Sequence, residues 1–134
     1  MTRHRLHGKR RRGAAVVEFA VCAPIIVLLV FGSIEASSFI FLKQSLHVSC
    51  YEAIREASRS QGSDATARSI AESILDSRGV NDYVISFPNG ESADILRGEE
   101  IVCEVTAPTA TNSPLGGQFV ANRDLTARVL MVKE

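Results

Sequence analysis

Residues 14–34 read AAVVEFAVCAPIIVLLVFGSI, an apolar run of 21 residues broken by one charge, Glu18. As a helix rising about 1.5 Å per residue, it spans about 30 Å, the thickness of a bilayer's hydrocarbon core. Twelve of these residues are Val, Ile, Leu or Phe. Together they favour insertion by about 4–7 kcal/mol. A carboxylate at the bilayer centre costs about 3 kcal/mol on the same scale, and less near the helix start where Glu18 sits. Insertion therefore wins. Pro24 lies inside this helix and leaves the carbonyl of Ala20 without its usual donor, so a kink or a loosened turn is expected there.

The formal net charge is zero, but it is unevenly distributed. Six of the fifteen Lys and Arg residues (Arg3, Arg5, Lys9, Arg10, Arg11, Arg12) lie in residues 1–13 with no acid among them. The other nine face all fifteen Asp and Glu residues over the rest of the chain. A basic stretch abutting an apolar helix orients it with the bases in the cytoplasm. Three parts follow: a basic cytoplasmic leader at 1–13, a transmembrane helix at 14–42 and an extracytoplasmic domain at 43–134. The expected location is the cytoplasmic membrane, crossed once.

Helical periodicity continues beyond the apolar run. Phe39, Leu42, Leu46, Ala53 and Ala57 form one stripe, with Ser49 and Cys50 in its longer step. One helix from about residue 14 to about residue 60 is expected, ended by Gln61-Gly62-Ser63. Asp64 is placed as the N-cap of a short second helix with an inner face of Ala67, Ile70, Ala71, Ile74 and Leu75, stopping at Gly79. The period then changes. Segments 83–87, 101–106 and 125–132 are rich in β-branched and aromatic residues and read as strands. Pro88-Asn89-Gly90-Glu91 reads as a turn, and 107–117 as a loop. The fold class is α+β: a long N-terminal helix, a short second helix and a small, mostly antiparallel sheet of three to four strands.

The junction KRRRGAAVVEFAVCAPI, residues 9–25, joins these observations. Arg11-Arg12-Gly13, Val17-Glu18-Phe19-Ala20, Pro24, Phe31-Gly32 and Glu35 together resemble the TadE-like family, the pseudopilins of tight-adherence pili among type IV pilin-like systems. The resemblance covers about residues 10–42. It implies cleavage between Gly13 and Ala14 by a prepilin peptidase, a membrane aspartyl protease. It also implies a pilin-like subunit, with Glu18, Phe19 and Pro24 serving assembly and with other pilin-like subunits, the assembly platform and the lipid bilayer as partners. The chemistry is consistent with this: glycine lets an extended backbone enter a narrow cleft. A carboxylate in an apolar seam needs a partner, which a freed Ala14 ammonium on a neighbouring subunit would supply. Alternatively, Glu18 only complements the positive end of its own helix. Glu35 reads as the point where the helix leaves the membrane.

Other functions find less support. The run is longer than the apolar core of a secretory signal, and no good small-residue cleavage site follows it. Phe19-Ala20-Val21 before Cys22 does not suit a lipoprotein site. The basic stretch lacks aromatic residues and abuts the membrane helix, so no nucleic acid is expected as a partner. No nucleotide-binding glycine motif is present. His47 and Cys50 are close enough on a helix to touch, but nothing supplies a third member or an oxyanion site. No enzyme activity, cofactor, metal or small-molecule substrate is expected. Cys50 and Cys103 are candidates for a disulfide if their domain lies outside the cytoplasm, although two cysteines do not by themselves specify a pairing. A permanently anchored, uncleaved extracytoplasmic binding module is the alternative to the pilin-like role.

Overall fold

The computed structural model describes residues 8–115 and 122–134, the side chains of 8–12 excepted. Residues 1–7 of the expected leader and part of the expected 107–117 loop lie outside the described residues. The element order is α1 (Gly8–Ala57), α2 (Asp64–Ser77), β1 (Val84–Ser86), β2 (Glu100–Pro108), α3 (Thr109–Asn112) and β3 (Asp124–Val132). This is the expected α+β arrangement. The chain divides between Ile34 and Glu35 into two units, so α1 contributes to both.

The described part of the first unit is the N-terminal stretch of this helix. Its large apolar residues are well exposed, from 40 % at Phe31 to 68 % at Val21. Cys22 on the same stretch is exposed too. The helix runs through Pro24 without ending. It also starts earlier than expected, running through Gly13 from Gly8. Lys and Arg are good helix formers, so Lys9 to Arg12 give the backbone no reason to break at the charge boundary.

In the second unit, α1 buries the stripe read from the sequence. Leu42, Leu46, Cys50, Ala53, Ile54 and Ala57 are at most 2 % exposed and share a core cluster with Ala67, Ala71 and Leu75 of α2. Ser45 and Ser49 are buried among them. Their hydroxyls donate to the carbonyls of Phe41 and Leu46, both at 2.9 Å, which satisfies them within the helix. The helix ends at Ala57, a few residues before the expected stop.

Asp64 is not the N-cap of α2. Ser63 occupies that position, with no side-chain cap bond, and Asp64 is the first helical residue. Its Oδ2 instead accepts the backbone N–H of Ser92 at 2.7 Å, pinning the turn that follows β1. At the other end Gly79 has φ +66°, a conformation that favours glycine. Val80 N–H donates to Leu75 O and Gly79 N–H to Asp76 O, both at 3.0 Å. These are the two bonds of a Schellman stop.

The sheet has the order β1-β2-β3, antiparallel throughout. Register runs from Val84 opposite Thr106 to Ser86 opposite Glu104, and from Glu100 opposite Val132 to Pro108 opposite Asp124. Alternation by two puts Ile101, Cys103, Val105 and Ala107 of the central strand on the core face. β2 extends past the expected Thr106, and α3 occupies part of the expected loop. Proline is tolerated at the very end of a central strand. Local side-chain bonds then hold the helical turn. Asn112 Nδ2 donates to Pro108 O at 2.8 Å, and Ala110 N–H donates to Asn122 Oδ1 at 3.2 Å.

Long polar side chains connect the layers. Arg68 donates to Ile85 O at 2.7 Å and stacks over the Phe87 ring, 5.1 Å from its centroid. Lys43 Nζ donates to Thr126 O. Tyr83 Oη–H donates to Asp76 Oδ1 at 2.8 Å. Desolvation and that bond to Asp76 push the phenol up to about 12. The folded state therefore holds this proton more tightly than the unfolded chain, whose tyrosine titrates near 10. The resulting stabilisation is complete below pH ~10 and is lost as pH rises towards ~12. Urea unfolding of the detergent-solubilised chain should show this decline in the wild type and a flatter profile in Tyr83→Phe. Equal slopes for the two would refute the assignment.

Candidate functional site

The residues singled out for processing and assembly lie on the first unit's stretch of α1. Gly13, Ala14, Glu18, Phe19 and Pro24 are all exposed there, Phe19 by 67 %. Ala14 and Glu18 are four residues apart, so they share a helix face one turn apart. An amine released at Ala14 could thus be met by its own Glu18 or by that of another helix. The ion pairs among the described residues, Arg55–Glu52 and Arg59–Glu56, lie far along the chain from Glu18. Gly13 has nothing within 4 Å of where a Cβ would stand, and the same holds for Gly32. The backbone at Gly13 is helical, so a protease that takes an extended strand must first unwind a turn there.

Burial explains what this stretch can do. Fully covering a Val, Leu, Ile or Phe side chain is worth about 1.5–3 kcal/mol. Twelve of them left in water would forgo on the order of 20 kcal/mol. The helix is long and apolar enough to cross a membrane. It could also be covered by other apolar helices.

Glu35 begins the second unit. It is 1 % exposed, buried within the second unit. Oε1 accepts a bond from Ser113 Oγ at 3.3 Å, and Oε2 has no partner among the described residues. No sequence signal could have found this contact, because 78 positions separate the two residues.

His47 and Cys50 do not form a pair. His47 is exposed, whereas Cys50 is fully buried and turned to the sheet. Its Sγ donates to Cys103 O at 3.0 Å. Cys103 is likewise 0 % exposed, and both thiols are free. The two thiols also bond to one another. That bond lowers the Cys50 thiol against the effect of burial, while the same bond and burial raise Cys103. A surface groove lined by Gly62, Asp64, Arg68, Glu91 and Ser92 holds both signs of charge, and of its two carboxylates Asp64 accepts the Ser92 N–H through Oδ2.

A membrane-capable N-terminal helix followed by a small α+β domain defines the class: a chain with one candidate span, near its N-terminus, among the described residues. Residues 13–55, about a third of the chain, match the family described as TadE-like protein, so this segment is a TadE-like domain. No curated protein and no solved structure matches the chain.

The Glu35 site makes a direct test possible. Ser113→Ala removes the carboxylate's one described donor and should destabilise the domain by about 1–3 kcal/mol. Urea unfolding in detergent measures this, and an unchanged midpoint would show that the contact contributes nothing.

Proposed function

We propose that this protein is a minor pilin-like subunit for assembling tight-adherence pili or a related secretion machine, acting as a structural component and not as a catalyst. One observation carries the reading. A single carboxylate, Glu18, sits five residues past Gly13 on an exposed apolar helix, inside the segment that matches the TadE-like family.

In this reading the chain sits in the cytoplasmic membrane with its basic end inside and residues 43–134 outside. A prepilin peptidase hydrolyses the Gly13–Ala14 bond, leaving a carboxylate on Gly13 and an ammonium on Ala14. Glycine lowers the cost of the necessary unwinding, since it is weaker in a helix than alanine by about 1 kcal/mol. Cleavage discards six positive charges and leaves one. Extrusion then exchanges lipid contacts for contacts with neighbouring apolar helices. In that dry seam, Glu18 pairs with the Ala14 ammonium of the adjacent subunit and fixes axial register. Phe19 supplies apolar contact there, and Pro24 provides a place where the helix can loosen. The outer domain meets other subunits of the machine, and an external ATPase drives assembly.

A second reading, an uncleaved and permanently anchored binding module, draws on the helix running unbroken through Gly13. The N-terminus of membrane-extracted protein decides between them. Mass spectrometry should find Ala14 first in the wild type and the whole leader retained in Gly13→Asp, with insertion unchanged. A wild-type chain that keeps residues 1–13 would favour the anchored module. Glu18→Gln should be processed normally but enter sheared filaments at least about tenfold less, since 1.4 kcal/mol already gives that factor. Equal incorporation would remove Glu18 from assembly.

A further inference from the structure

We propose that Cys50 and Cys103 are joined by a disulfide in the functional protein, fastening α1 to the central strand of the sheet. The inference rests on the reading that places residues 43–134 outside the cytoplasm, where thiols are oxidised and not held reduced.

The geometry carries it. Both residues are 0 % exposed and belong to one core cluster. Cys50 Sγ lies 3.0 Å from Cys103 O. The Cys50 side chain is thus directed at the backbone of Cys103, where the helix and the central strand meet. The third cysteine, Cys22, belongs to the apolar stretch that a bilayer would hold, away from aqueous oxidants. The sequence separation of 53 means that the bond would close a loop containing all of α2 and β1. A link over so long a loop removes much of the freedom of the unfolded chain. It would also keep the sheet on α1 when the helix is pulled during assembly.

The oxidant is the disulfide of a thiol oxidase. One cysteine thiolate attacks that disulfide, forming a mixed disulfide and expelling one oxidase thiolate. The other cysteine then attacks the sulfur of the first, forming the Cys50–Cys103 bond and releasing the oxidase as a dithiol. Two electrons and two protons pass from the cysteine pair to the oxidase. Both sulfurs are inaccessible in the folded domain, so the exchange precedes burial, and reductants cannot easily reverse it later.

The test uses the full chain from its native membrane, acid-quenched and denatured without reductant. Polyethylene-glycol maleimide should add once, at Cys22, and three times after reduction. Trypsin should release peptides 44–55 and 98–123 as one linked species that separates on reduction. In parallel, protease added outside spheroplasts reports where the domain lies. Three free thiols in a chain whose domain is cleaved from outside would overturn the disulfide and leave the topology standing. A domain protected from outside protease, with three free thiols, would overturn the topology and the disulfide with it. Any linked peptide containing Cys22 would overturn the pairing.

Discussion

The structure depends on one face of α1 being covered by the inner face of a three-stranded sheet. Leu46, Ile54 and their neighbours on the helix meet Ile101, Cys103 and Val105 of β2 in a single apolar cluster. Each such residue gains about 1.5–3 kcal/mol by leaving water. The other elements are positioned by that contact. β1 and β3 are fixed by pairing with β2, and α2 is held from its capping Arg78, which reaches Ser45 of α1 at 3.5 Å. Upstream of Glu35 the large apolar residues of the same helix are exposed. One continuous helix thus has two kinds of surface, suited to two different surroundings.

Its two acids at positions 18 and 35 illustrate the contrast. Glu35 is buried in its own domain and receives one bond from Ser113. Glu18 is exposed on an apolar stretch, where water supplies what a bilayer would not. The first acid belongs to the integrity of a fold. In the proposed function the second is paired by a neighbouring subunit, and that difference is why Glu18 carries the functional reading.

Much of this was legible from periodicity. Leu42, Leu46, Ala67, Ala71 and Leu75 repeat at helical spacing and are buried as expected. The strands follow from clusters of β-branched residues, and the turn at Pro88 and Asn89 from its residue types; Gly90 N–H indeed donates to Phe87 O at 3.2 Å. What escaped depends on bonds between distant positions. Asp64 has the right chemistry for a cap, but the Ser92 amide drew it to another task. The α3 turn depends on Asn112 and Asn122, whose partners composition cannot disclose. The burial of Glu35 requires Ser113 to come back to the helix. At the proposed processing site, the spacing of Gly13, Glu18 and Pro24 was plain in the sequence, but the helical state of Gly13 was not, because flanking arginines and alanines decide it.

The strand that completes the core comes last. β3 supplies Ala127, 2 % exposed, and pairs along its whole length with β2. Its contacts with the helix span more than seventy positions, as between Lys43 and Thr126. Contacts of such long range form slowly and only after the intervening chain is available. A polypeptide delivered to its compartment N-terminus first would therefore present the greasy side of residues 42–57 bare until its final segment emerged. That interval is when the chain would be most prone to aggregate, and when a holding chaperone would matter most.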